Sequence, residues 1–137
     1  MSGKIGLINK GDQLFKNLSI AALKKNPIAN IYGSDYKTPD GTCIRDYIHV
    51  CDIAELHLKV LLKIKKIKRP IITNCGYGRG FSVLEIINQF QKITKKKFTI
   101  KIKNKRKGDM EKIISSSYKL KKLTGWRPRY NSLPLMV

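Results

Sequence analysis

Apolar residues recur at helical spacing in four stretches of the chain. Leu14, Leu18, Ala21 and Ala22 form the first, and Ile53, Leu56, Val60, Ile64 and Ile67 the second. Val83, Ile86, Ile87 and Phe90 form the third, and a shorter stretch from Tyr118 to Gly125 is the fourth. Strand patterns lie between them. Ile28 to Tyr32 is a short β-rich run closed by Gly33, and Ile71-Ile72 begins another. Phe98 to Lys103 alternates cleanly, which predicts a strand with one wet face. Ile44 to Val50 alternates too. It puts Ile44, Asp46, Ile48 and Val50 on one side and Arg45, Tyr47 and His49 on the other. Helices and strands that follow one another in this way predict an α/β fold with short strands and about four helices.

The element ends carry their own chemistry. Met1 to Gly11 holds three glycines and little periodicity, so it reads as loop, and Asp12 is placed to cap the first helix. Asn26-Pro27 ends that helix and Pro70 ends the second. Asp52 with Glu55, and Ser82 with Glu85, both match the spacing of a capping box, in which each side chain satisfies the other residue's amide. Asp40-Gly41-Thr42 is a turn. Gly76, Gly78 and Gly80 fit a turn in which backbone passes close to its neighbours.

Composition narrows the classes. The 137 residues allow one domain with a real core, which is small for an enzyme that binds its own dinucleotide. Cys43, Cys51 and Cys75 have no C-x-x-C spacing and leave an odd thiol under any pairing, which suits a reducing compartment and argues against a zinc site. No apolar run reaches membrane-spanning length and no signal pattern opens the chain, so the cytoplasm is the expected location. The net charge of +20 is the outlying value. It is compatible with a basic nucleic-acid-binding module, but no arginine-rich helix, zinc-finger spacing or aromatic RNA-binding motif accompanies it. The second helix, with Lys59, Lys63, Lys66 and Lys68 largely off its apolar stripe, reads as a core helix with a solvated lysine face.

Asp40 to Ala54, DGTCIRDYIHVCDIA, organises the rest. The stretch resembles a signature of UDP-glucose 4-epimerases, within the extended short-chain dehydrogenase/reductase superfamily. Three further landmarks follow in family order. Asn74-Cys75-Gly76-Tyr77-Gly78 with Ser82-Val83-Leu84-Glu85 is similar to the family's NxGxGxxxSVxE segment. Arg106-Lys107-Gly108-Asp109 is similar to its RxGD turn, and Leu123-Thr124-Gly125-Trp126 to its LGW helix end. The likeness runs from about Gly3 to Leu133.

That resemblance implies the substrate-binding portion of a nucleotide-sugar epimerase over residues 1–137, with the dinucleotide-binding half absent. By it, Arg45 and Arg106 face the diphosphate, and Tyr47 and Asp109 face ribose and nearby oxygens. Asn30, Ile31 and Tyr32 run beside the uracil, and Gln13 and Leu14 approach the diphosphate. The family places a tyrosine near the sugar four residues past the RxGD aspartate, where this chain has Ile113. The whole family uses NAD, oxidising and re-reducing the sugar at C4, and is typically homodimeric.

No catalytic, cofactor or metal residue is assigned to this chain. Gly76, Gly78 and Gly80 have the third glycine one place too early for the dinucleotide fingerprint G-x-G-x-x-G. Tyr118 and Lys122 satisfy Y-x-x-x-K, but past the RxGD turn, whereas the family's pair precedes everything here. The expected partners are therefore a UDP-sugar and, as a candidate, a separately encoded cofactor-binding half, with no membrane partner. The alternatives are a fragment of another nucleotide-sugar dehydratase, decarboxylase or epimerase, and the basic nucleic-acid module.

Overall fold

A computed structural model of the chain describes residues 13–66 and 68–137. The loop expected over the first eleven residues, the cap by Asp12 and the packing of Ile67 lie outside them. The order is α1 (Leu14–Ala22), β1 (Ile28–Tyr32), β2 (Ile44–Arg45), α2 (Val50–Ile64), β3 (Phe81–Ser82), α3 (Val83–Thr94), β4 (Thr99–Lys103), β5 (Lys112–Ile113), α4 (Tyr118–Thr124) and α5 (Leu133–Met136). The described residues thus hold five helices where four stripes were legible, because α5 is a single turn docked on the main core by Leu133 and Met136.

Two small sheets carry the site. β1 and β4 pair in parallel, with Asn30 beside Lys101 and Tyr32 beside Lys103. β2 lies between β3, which is antiparallel to it, and β5, which is parallel. The main core packs Leu18 and Ala21 of α1, Ala29 and Ile31 of β1, and Ile86, Ile87 and Phe90 of α3 around Phe81 and Phe98. A second cluster joins Leu56 of α2 to Leu120 and the fully buried Trp126. α3 starts on the expected capping box: Ser82 Oγ accepts from Glu85 N at 3.0 Å and Glu85 Oε2 accepts from Ser82 N at 2.7 Å.

Four expectations are corrected. The strand expected from Ile44 to Val50 pairs only at Ile44 and Arg45, and Val50 already begins α2. Asp52 is not a cap. His49 caps α2 with Nδ1 accepting from Cys51 N at 3.2 Å, and Asp52 lies in the first turn with no solvent exposure. Ile71-Ile72 forms no strand, since no described strand lies alongside to pair with it. β4 has no dry side either: Ile100 and Ile102 are exposed as well as the lysines, and only Phe98, just before it, is buried.

Candidate functional site

β1 alternates between core and cavity. Ala29 and Ile31 point into the core, while Ile28, Asn30 and Tyr32 line an open cavity of about 710 Å³. The parallel register brings Lys101 and Lys103 to the same side. Leu14, Asn17 and Lys24 of the α1 region form one wall, Arg45 and Tyr47 a second, and Arg106 and Asp109 a third. Seven of the nine residues proposed from sequence meet here: Leu14, Asn30, Tyr32, Arg45, Tyr47, Arg106 and Asp109.

Two do not line it. Gln13 is the N-cap residue of α1 and makes no side-chain capping bond. Ile31 is 4% exposed, with its side chain in the core, so only its main chain can serve a ligand. His49 also leaves the Arg45–Tyr47 face, because its backbone turns into α2 and its ring stacks on Tyr130 at 4.3 Å.

The turn from Arg106 to Asp109 is closed by an Asp109 N–H bond to Arg106 O at 3.2 Å, with Gly108 at φ +84°. Asp109 Oδ1 sits 3.3 Å from Arg45 Nη2, and the Arg106 guanidinium lies 3.8 Å from the Tyr32 ring centroid. The two arginines, sixty-one positions apart in sequence, thus border one space. Five basic side chains (Lys24, Arg45, Lys101, Lys103 and Arg106) line it against the single carboxylate of Asp109. The excess of positive charge suits an anion. Burial pushes the Tyr47 hydroxyl up to about 12, so near neutral pH it is a neutral hydrogen-bonding group and not a base.

The aspartates of the DGTxxRDYIHVxD stretch were the functional residues that strand alternation hid. They are braces. Asp40 accepts from Thr42 N at 2.9 Å and from the Ser82 hydroxyl. Asp46 accepts from the amides of Tyr77 and Gly78, both at 3.0 Å, and of Ser115 at 3.3 Å. Asp52 accepts from Arg129 N at 2.9 Å, from Tyr130 N at 3.0 Å and from the Tyr77 hydroxyl. Their six-residue spacing was the available signal, but the partners lie 25 to 78 positions away for Asp46 and Asp52 and cannot be read locally.

The glycine run does not fit a dinucleotide cradle. A Cβ on Gly76 would meet Asp46 Oδ2 at 2.6 Å, and one on Gly80 would meet Ile44 Cγ2 at 2.4 Å, so the chain's own side chains fill the space at both. Tyr118 is 72% exposed and does not line the cavity. Among the described residues, no three His, Cys, Asp or Glu side chains gather as a metal would need. No described helix is long and apolar enough to cross a membrane.

Residues 12–76 match the NAD dependent epimerase/dehydratase family. A UDP-glucose 4-epimerase of Azospirillum brasilense is 37% identical over 124 residues, which is 90% of this chain and 36% of that protein. One of Cyamopsis tetragonoloba is 41% identical over 133 residues, 94% of this chain and 38% of its own. Among solved structures, the UDP-glucose 4-epimerase of Bifidobacterium longum in complex with NAD+ and UDP superposes with a TM-score of 0.82 at 33% identity. It covers 94% of this chain and 38% of that one. Another UDP-glucose 4-epimerase crystal structure gives 0.84 at 35% identity, over 92% and 38%. The chain therefore spans a little over a third of the length of the curated relatives it matches. By sequence and by fold the chain is similar to part of a UDP-glucose 4-epimerase, and its residues 12–76 match the NAD dependent epimerase/dehydratase family.

Proposed function

We propose that this chain is the C-terminal, UDP-sugar-binding portion of a UDP-glucose 4-epimerase, the enzyme that interconverts UDP-glucose and UDP-galactose. The carrying observation is the meeting of Arg45 and Tyr47 with Arg106 and Asp109 in one basic cavity beside β1. Guanidinium groups give a diphosphate paired, charge-assisted bonds, and Asp109 accepts from hydroxyls. β1 pairs with β4 alone among the described strands, which leaves its other edge available for main-chain reading of a base. The solved Bifidobacterium longum relative is a complex with NAD+ and UDP, which supports a uridine nucleotide as ligand and leaves the nicotinamide chemistry to the rest of the family fold.

UDP is expected to bind with an affinity on the order of millimolar, near about −4 kcal/mol, because the cavity is open to water and its Coulomb gain is screened. It should bind better than pyrophosphate or ADP. Arg45→Ala and Arg106→Ala should each weaken it by roughly tenfold, the loss of one charged hydrogen-bonding group. Calorimetry or ligand-observed NMR reads all nine combinations. No preference for UDP over pyrophosphate, or indifference to both substitutions, would refute the site. With NAD added, the isolated chain should not interconvert UDP-glucose and UDP-galactose. Turnover that copurifies with the chain and stops on Tyr118→Phe would overturn the reading of Tyr118 as a bystander.

A further inference from the structure

Two consecutive basic residues, Lys105 and Arg106, each lie over a tyrosine ring of the same stretch of chain. The Arg106 guanidinium is 3.8 Å from the Tyr32 centroid, and the Lys105 ammonium is 4.4 Å from the Tyr36 centroid. Arg106 and Tyr32 line the cavity, whereas Lys105 and Tyr36 do not. The turn that carries Arg106 is therefore held from behind as well as from the cavity side.

Tyr36 is 6% exposed, and its hydroxyl has only the Cys43 thiol, a weak hydrogen-bonding group, beside it. What the side chain contributes is its ring. Its own loop seats that ring: Tyr36 N donates to Gly41 O at 3.0 Å, and Tyr36 O accepts from Thr38 N at 2.7 Å. Gly33 lets Lys105 reach it. A Cβ there would lie 2.5 Å from Lys105 Cγ and 2.6 Å from Tyr36 Cε2, so the lysine stem and the ring edge fill the space a side chain would take. Gly33 N also donates to Lys103 O at 2.9 Å, which ties down the backbone two residues before Lys105. Past the ring, Lys105 Nζ meets Asp35 Oδ1 at 3.0 Å. That ion pair is largely exposed and weak alone, so the close packing around Gly33 supplies most of the restraint.

These contacts bear on Arg106. Lys103, Lys105, Arg106 and Lys107 crowd one short stretch and repel one another, so an unrestrained turn would spread them outward. A guanidinium gives a diphosphate paired bonds only when its backbone delivers it to the right place. We propose that Tyr36 is a positioning residue of the cavity: by seating Lys105 against Gly33, it fixes the backbone from which Arg106 reaches an anionic ligand. The inference rests on the reading of the cavity as a nucleotide site and names what orients one of its two arginines.

Tyr36→Leu should weaken UDP binding about three- to fivefold, part of the roughly tenfold lost with Arg106→Ala. Tyr36→Phe keeps the ring and should bind UDP as the parent does. In an Arg106→Ala background Tyr36→Leu should cost nothing further, because it acts through that side chain. Lys105→Ser, at an exposed position, should reproduce the loss without touching the core. Lys107→Ser removes the same charge one residue past Arg106 and should change affinity no more than about twofold. Circular dichroism checks folding, and Lys105→Ser carries the test if Tyr36→Leu does not fold. NMR without ligand gives a second readout. The Arg106 methylene protons should be shifted upfield by the Tyr32 ring in the parent, in Tyr36→Phe and in Lys107→Ser, and should lose that shift in Tyr36→Leu and Lys105→Ser. A parent that binds no UDP would refute the nucleotide reading, while the ligand-free shifts still decide whether Tyr36 fixes Arg106. Shifts unchanged in Tyr36→Leu and Lys105→Ser would overturn the assignment. So would an undiminished loss in the Arg106→Ala background, equal losses for Lys105→Ser and Lys107→Ser, or a Tyr36→Phe chain as impaired as Tyr36→Leu.

Discussion

Asp52→Ala should remove about 3 kcal/mol or more of stability, a large part of the roughly 5–15 kcal/mol that holds a domain of this kind together. Its carboxylate is fully buried and accepts three hydrogen bonds, from the Tyr77 hydroxyl and the amides of Arg129 and Tyr130. A buried donor stripped of its acceptor costs about 1–3 kcal/mol, and the substitution strips three. Asp52→Asn should not rescue the loss, since its amide NH2 would face donors. Trp126, the only tryptophan, lies stacked near Tyr77 at 6.3 Å, so its fluorescence reports unfolding directly. Urea midpoints for parent and variants decide the matter; a change under about 0.5 kcal/mol would show that water replaces the carboxylate without cost.

The same residue gives the chain an acid limit. Burial alone would raise the Asp52 pKa, but the hydrogen bonds from Tyr77, Arg129 and Tyr130 outweigh it and hold the carboxyl below its ordinary value. Burial likewise opposes, and the Ser82 and Thr42 bonds likewise reverse, the shift at Asp40. A carboxyl lowered in the folded state contributes stability that is complete above its unfolded pKa and lost as pH falls through the folded one. The parent should therefore hold its stability down to about pH 5 and lose it progressively below about pH 4. Asp52→Ala should flatten that slope.

Most of the helices were legible in the sequence, and seven of the nine residues proposed from it line the cavity. Local rules settled what is local: Ser82 and Glu85 cap α3, and Ile86, Ile87 and Phe90 face the core. What misled was always decided from a distance. Asp52 and Glu55 have capping-box spacing, yet Asp52 is claimed by amides 77 and 78 residues on, and His49 takes the cap. Alternation from Ile44 to Val50 predicted one face with Arg45, Tyr47 and His49. Only Ile44 and Arg45 find strand partners, so the pattern lapses before His49. The same reason leaves Ile71 and Ile72 without a strand, and exposes both sides of β4. Alternation states which residues share a face; whether a face is covered depends on what packs there. The basic lining from Lys101 and Lys103 was hidden for a related reason, since it follows from the β1–β4 register.

Gly76→Ala should destabilise by about 2–4 kcal/mol. The new Cβ would lie 2.6 Å from Asp46 Oδ2 and 2.6 Å from Ser115 Cβ, distances that real carbon atoms do not tolerate. Overpacking of this kind costs about 1–3 kcal/mol by itself. Relief means moving the Asp46 carboxylate, and that carboxylate accepts from the amides of Tyr77, Gly78 and Ser115. Losing a charge-assisted bond adds about 1.5–3 kcal/mol. Asp46 is adjacent to Arg45, so the displacement should also disturb the cavity and weaken UDP binding. Gly108→Ala is the contrast: nothing lies within 4 Å of its Cβ, and only its φ of +84° resists the side chain, at about 1 kcal/mol. If steric displacement of Asp46 is the cause, Gly76→Ala and Asp46→Ala should be strongly non-additive, since the second removes what the first collides with. Urea unfolding of both single variants and the double variant measures this. Additive losses, or a Gly76→Ala chain within 0.5 kcal/mol of the parent, would mean that the segment from Gly76 to Gly78 shifts freely and that Asp46 does not brace it.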